Sequence, residues 1–411
     1  MIELEFLGGA HTVTGSKHLV RTSRATVLLD CGLFQGHRAE ANRRNRSLPV
    51  EVTRLDAVVL SHAHLDHSGA LPVLTHAGYR GPIYTTPATR DLCVPMLEDA
   101  ANLQEADARH IARLIARGVD LDPVTPLFGR DDVVAALAAM VGVPYHRPHP
   151  IAPGITLSFL DAGHVLGSAI VVLDIVDGDQ RGRLAFTGDL GRPGMPILRD
   201  PEIPDGVSWL ISESTYGDRT HPPIAQSHDA LAATIRRTAA RGGKVVIPAF
   251  ALERAQELLF ALSLLRGRGA IPAIPIYVDS PLATKITDVF RLHPDCYDDH
   301  AFELLQRGAP FDFAGLTYTS DVEASKAIDA SPEPAVIIAG SGMCEGGRVL
   351  HHLRTMVGDA RHTIAIVGFQ AEHTLGRRIA ERRGEVRIFG LLHELVAEVA
   401  VLEGFSAHAD Q

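Results

Sequence analysis

The sequence is poor in the residues that mark several large protein classes. Four cysteines, Cys31, Cys93, Cys296 and Cys344, are scattered through 411 residues with no paired spacing. That excludes a disulfide-stapled scaffold and leads us to expect reduced, buried thiols in a cytoplasmic protein. Lysine is scarcer than its usual share: of 39 basic residues only Lys17, Lys244, Lys285 and Lys326 are lysine. With a formal net charge of −10, a protein that coats nucleic acid through general phosphate neutralisation is excluded, although a local arginine-lined groove is not. No apolar run is long enough to span a bilayer, so no membrane partner is expected. Glu3 and Glu5 stand where a secretory leader would be basic, and this start reads as a first strand. Repeats, low-complexity tracts and long linkers are absent as well.

What is present is a chain with enough apolar residues, 46%, for two ordinary domains with real cores. Short apolar or β-branched runs at 2–7, 18–21, 26–29, 57–60 and 83–85 read as strands. A long helix is expected over 87–117 and a second over 131–140, before strands resume at 155–160, 169–175, 184–187 and 209–212. After about residue 210 the pattern becomes a regular alternation. Strands at 244–247, 276–278, 335–338 and 363–367 precede helices at 251–266, 281–292, 346–356 and 375–383. Such repeated β/α units predict a mainly parallel sheet covered on both faces. The tail, 386–411, reads as strand, helix and loop.

The chain also holds 21 histidines, and the densest group carries the chemistry. In Leu60-Ser61-His62-Ala63-His64-Leu65-Asp66-His67-Ser68-Gly69, a strand ends just before three histidines and an aspartate. In an extended loop His62 and His64 point the same way and can chelate one metal, while a turn just past them can aim Asp66 and His67 at a second. Imidazole and carboxylate suit Zn²⁺, and a catalytic zinc keeps one position open for water.

This H-x-H-x-D-H segment resembles the signature of the metallo-β-lactamase superfamily. The resemblance extends in order along the chain. Asp30 matches the first acidic motif, as a group that orients the ligand loop. His164, in Asp161-Ala162-Gly163-His164, matches the third motif, and Asp189, in Thr187-Gly188-Asp189-Leu190-Gly191, the fourth. The second half is similar to the β-CASP group: Ser212-Glu213-Ser214-Thr215-Tyr216-Gly217 matches motif A and Phe405-Ser406-Ala407-His408-Ala409-Asp410 motif B. Pro248-Ala249-Phe250-Ala251, Val278-Asp279-Ser280-Pro281, Gly340-Ser341-Gly342-Met343 and Gly368-Phe369-Gln370-Ala371-Glu372 look like its strand-end loops. Glu253 and His373 depart from it, standing where similar proteins have glycine.

The resemblance implies an α/β protein. Its fold is an αββα metallo-β-lactamase sandwich at 1–209, an inserted open, Rossmann-like β-CASP domain at 210–383, and a return to the first domain at 384–411. It is nearest to bacterial proteins similar to the nuclease subunit of the cleavage and polyadenylation factor, which implies RNA as substrate. The implied reaction is phosphodiester hydrolysis by a two-metal-activated water with a histidine general acid. The implied ligands are His62, His64 and His164 on one zinc, with Asp66, His67 and Asp189 on the other, Asp189 bridging. His408 is the implied acid and Glu213 its partner. Ser341, Gly342, Met343 and Ser406 are the expected substrate contacts, the first three by backbone N–H groups at a helix entry. Arg254 and Arg348 are candidate phosphate contacts. Two zincs per chain are expected; the family's motif C histidine, a ligand of the second, has no match up to Gln411, and a chain truly without that ligand would hold the second ion weakly. The reading leaves room for a homodimer. The alternatives are another hydrolase of this fold, a DNA nuclease, and a catalytically silent RNA-binding scaffold. The long insert after Glu213 counts against small-molecule hydrolases, and the retained motifs count against a scaffold.

Overall fold

Apolar residues alternate along Ile155–Asp161, with Ile155, Leu157, Phe159 and Asp161 turned inward. That period of two is the mark of a strand buried on one face. In the computed structural model, which describes residues 1–36, 38–306 and 310–411, this strand belongs to one of two facing sheets. The first sheet is β1 (Glu3–Gly8), β2 (Lys17–Arg21), β3 (Thr26–Leu29), β4 (Ala57–Val59), β5 (Ile83–Thr85) and β6 (Met140–Gly142), side by side in that order. The second is β7 (His149–Ala152), β8 (Ile155–Asp161), β9 (Ala169–Asp177), β10 (Gln180–Phe186) and β11 (Trp209–Ile211). Val27, Leu29 and Val59 of the first share a core with Leu157, Phe159, Val171 and Leu184 of the second. Helices Pro87–Ala116 and Arg130–Ala138 accompany the first sheet. The shorter second helix stops before the expected residue 140 because Met140 begins β6, which pairs with β5.

By contacts the chain divides into two compact units: Met1–Pro193 with Asp200–Thr215, and Gly194–Arg199 with Tyr216–Gln411. The second unit holds a wholly parallel sheet. Its strands are β12 (Val245–Pro248), β13 (Ile276–Asp279), β14 (Leu316–Tyr318), β15 (Val336–Ala339), β16 (Thr363–Ile366) and β19 (Glu398–Val401), in the order β14-β13-β15-β12-β16-β19. Val245, Val246, Ile247 and Pro248 are all buried, as expected of a central parallel strand covered on both faces. The tail segment expected to return to the first domain places β19 in this sheet, against β16. Nor does the tail hold the expected helix. Residues after 384 form instead a hairpin of β17 (Glu385–Ile388) and β18 (Leu391–Glu394). Its turn, Phe389-Gly390, has positive φ at both residues, the geometry of a tight two-residue hairpin loop. Among the described residues no helix is long and apolar enough to cross a membrane.

Glu253 and His373 do stand in positions suited to glycine. Their φ angles are 66° and 69°, in the left-handed region that costs a residue with a Cβ about 1–2 kcal/mol.

Candidate metal centre

Strand direction brings the site together. β3 and β4 are parallel, so Asp30 and the loop after Val59 leave the first sheet at the same end. In the second sheet β8 and β10 both run antiparallel to β9, and β11 runs parallel to β10. His164, Asp189 and Glu213 therefore follow strands that also end together. Loops at strand ends carry function because their side chains are not committed to the core.

His62 Nε2, His64 Nδ1, His164 Nε2 and an Asp189 carboxylate oxygen all lie within 4.8 Å of one another. His62 is fully buried and His164 nearly so. His67 sits beside them on a helical turn, Leu65–Ser68. Its Nε2 is 3.1 Å from Asp189 Oδ1 and its Nδ1 2.6 Å from Asp30 Oδ2. Asp66, on the same turn, is within electrostatic reach of His67, Asp189 and His62. Glu213 is held rigidly: Leu190 N–H donates to Oε1 (2.6 Å), Thr215 N–H donates to Oε2 (3.3 Å), and Glu213 N–H donates to Thr187 Oγ1 (3.3 Å).

Asp30 organises the ligand loop. It is fully buried and has a φ of 57°, a conformation aspartate tolerates better than most residues. Its Oδ1 accepts from Ser61 N–H (2.8 Å), and its Oδ2 from Ser61 Oγ (3.0 Å) and Ser16 Oγ (3.2 Å) as well as His67. Two glycines let the loops approach. A Cβ on Gly32 would lie 1.5 Å from Asp66 O, and one on Gly191 would lie 1.9 Å from Gly163 O.

Electrostatics fit a cation. Burial alone would drive protons off His67, yet the Asp189 and Asp30 carboxylates outweigh it and hold the imidazole well above its ordinary range. Burial alone would likewise raise Asp189, but His67 and His62 pull it well below the usual carboxylate range. For Asp66 burial prevails, reinforced by the Asp189 charge, and its pKa rises. A buried carboxylate ringed by imidazole nitrogens is the donor set of a zinc-type ion. Binding it would release the protons these groups otherwise share.

His408 and the expected substrate contacts lie in the second unit. The His408 N–H donates to Ser406 Oγ (3.3 Å), and its ring is 6.0 Å from that of Tyr216. Gly340-Ser341-Gly342-Met343 does not open a helix. The helix begins at Val349, and Ser341 N–H donates to Gly346 O (3.1 Å), so this loop closes on itself. Ser341 Oγ accepts from Glu345 and Gly346 N–H groups, which leaves its hydroxyl hydrogen to donate. The two candidate arginines point inward: Arg254 is ion-paired with Glu257, and Arg348 with Asp279. Helical spacing had not distinguished these buried pairs from solvated faces. Ser16 and Ser61 escaped the sequence reading altogether. The only local hint was a small hydroxyl residue directly before the H-x-H pair.

Comparison with known proteins agrees with this geometry. Residues 15–249 match the Metallo-beta-lactamase superfamily and residues 255–379 the Beta-Casp domain. The chain is 40% identical over 98% of its length to ribonuclease TTHA0252 of Thermus thermophilus, covering 88% of that protein. It is 33% identical to the transcription termination factor FttA of Methanosarcina mazei and to that of Methanocaldococcus jannaschii. All of the chain is matched there, but it spans only 63% of those factors' length. A crystal structure of a protein of unknown function from Enterococcus faecalis shares the fold, with a TM-score of 0.50 at 12% identity. That match covers 100% of this chain and 89% of the other.

Proposed function

Because the chain belongs to the metallo-β-lactamase superfamily and carries its Beta-Casp domain, we propose that it is a zinc-dependent ribonuclease that hydrolyses RNA phosphodiester bonds. The observation that carries this reading is the convergence of His62, His64, His164 and Asp189 within 4.8 Å, in a chain similar over 98% of its length to a ribonuclease. His62, His64, His164 and Asp189 would hold one ion, with Asp66, His67 and the other Asp189 oxygen for a second. Zinc, when bound, supplies Lewis acidity toward the phosphate and lowers the pKa of water to near neutrality.

The chain's own groups do the rest. Asp189 offers one oxygen to each ligand set. Asp30 fixes the ligand loop from behind. His408 is the proposed general acid for the leaving 3′ oxygen, on the support of its motif B phrase. Glu213, clamped by the Leu190 and Thr215 N–H groups, is proposed to hydrogen-bond the other ring nitrogen of His408 and keep it protonated. Ser341, Gly342, Met343 and Ser406 are the proposed substrate contacts, Ser341 through its hydroxyl.

The test is cleavage of an end-labelled single-stranded RNA, and of DNA of the same sequence, before and after chelation and Zn²⁺ restoration. We expect RNA cleavage that chelation abolishes and Zn²⁺ restores, with about two zincs per chain. Intact RNA at full zinc occupancy would sink the ribonuclease reading. Preferential cleavage of the DNA would replace it with a DNA nuclease.

A further inference from the structure

Ser61 occupies an unusual place. Its Oγ is 3.0 Å from Asp30 Oδ2 and 3.0 Å from His62 Nδ1, with all three residues at most 1% exposed. A serine hydroxyl has one hydrogen to give, and an ionised carboxylate can only accept. The hydroxyl must therefore donate to Asp30. Its lone pair then faces His62 Nδ1, which must carry the hydrogen of the neutral ring that ligation requires. That leaves the lone pair of His62 on Nε2, the nitrogen 3.5 Å from Asp189 Oδ2 and 3.1 Å from His64 Nδ1.

We infer that Ser61 is a positioning residue that relays the charge of Asp30 to His62 and fixes the tautomer in which His62 Nε2 is free to ligate. Asp30 thereby orients two histidines at once: His67 directly, through Nδ1 at 2.6 Å, and His62 through one intervening hydroxyl. The relay is sealed from solvent. A Cβ on Gly188 would meet Ser61 Oγ at 2.6 Å and Ser61 Cβ at 2.7 Å, so the backbone next to Asp189 lies directly against this serine. Gly188, with a φ of 55°, can make that approach because it has no side chain. Ser16 Oγ also donates to Asp30 Oδ2, at 3.2 Å, but its other partner is His18 at 3.4 Å. It is thus a natural control.

The inference rests on the metal reading, and its test separates the two. Zn²⁺ affinity of the full chain is measured by competition with a chromophoric chelator, and ligand geometry by the visible absorption of the Co²⁺-loaded protein. Thermal unfolding of the metal-free protein reports folding. Ser61→Ala should weaken Zn²⁺ binding about 10–100-fold, the usual range for a partner behind a ligand, and alter the Co²⁺ spectrum. Its metal-free unfolding midpoint should stay near that of the wild type, and Ser16→Ala should leave affinity and spectrum unchanged. Asp30→Asn, of the same size, should lose more affinity than Ser61→Ala because it disturbs both histidines; it carries the test if Ser61→Ala does not fold. Wild-type affinity in Ser61→Ala, equal losses in Ser61→Ala and Ser16→Ala, or no greater loss in Asp30→Asn would each overturn the relay while leaving the metal reading intact. A wild-type chain that takes up no Zn²⁺ overturns both.

Discussion

Each unit buries a network of histidine and aspartate, and the two are built on opposite plans. In the second unit His352 is fully buried between two carboxylates. Its Nε2 lies 2.8 Å from Asp279 Oδ2 and its Nδ1 2.5 Å from Asp329 Oδ1. Asp279 also accepts from Arg348 and Ser325, at 2.5 Å each, and Arg348 reaches on to the Thr319 and Ser320 carbonyls. Two acids thus face two cations, and both ring nitrogens are engaged. In the first unit the ion pairs of Asp189 are with His62, His67 and His164, and His64 Nδ1 faces the Nε2 atoms of His62 and His164 at 3.1 and 3.4 Å. Imidazole nitrogens directed at one another and at one carboxylate form a ligand set. The same residue types therefore make a self-neutralised strut in one place and a cation site in the other. What distinguishes them is whether an arginine comes with the acids.

Substitutions can break or sharpen this contrast. The largest effect is expected from His64→Ala, which removes a nitrogen central to the open network. Zinc content and RNA cleavage should fall together, as read by elemental analysis and a cleavage assay. His408→Ala sharpens the contrast by separating metal holding from proton transfer. Zinc content should remain at the wild-type level while turnover drops about 10²–10⁴-fold, the usual worth of a general acid. Full activity in that variant would remove His408 from the mechanism.

His352→Ala breaks the closed network instead. Leaving Asp279 and Asp329 without their shared partner should cost about 3 kcal/mol in denaturant unfolding, with zinc content unchanged. A subtler test is pH. Burial disfavours the charge on His352, but Asp279 and Asp329 outweigh it and raise its pKa from 6.5 to about 9. A raised folded-state value means that this contribution is fully present below about 6.5 and is lost as pH climbs through about 9. Wild-type stability should therefore decline across that window, and His352→Gln should show a flatter profile. The smallest effect is expected at the exposed His373, whose φ is 69°. His373→Gly should relieve backbone strain and raise stability by up to about 1 kcal/mol; a loss would show that its side chain has a role of its own.

The open network was legible in the sequence because its parts are local phrases. His62, His64, Asp66 and His67 fall within six positions, and Asp30, His164 and Asp189 each follow closely on a recognisable strand. The closed network was not. Asp279 and His352 are 73 positions apart, and hydrophobic periodicity does not report which distant elements meet. For the same reason the candidate phosphate contact Arg348 gave no sign of its pairing with Asp279, 69 positions away. The glycine-like positions of Glu253 and His373 could be suspected, since each stands in a phrase where similar proteins have glycine. The tail helix was misread because Phe389-Gly390 gives no strong hairpin signal on its own.

The contacts of Gly32 and Gly191 bear on how this protein can vary. Each lies against the backbone of another ligand-bearing loop, at a separation where even one methyl group would collide with a carbonyl. A saturation mutagenesis survey scored by metal uptake should therefore rank these two positions with the histidines, although neither has a side chain to donate an electron pair. Their intolerance would look like chemistry in such a map. Its origin is the space that two stretches of main chain have already taken.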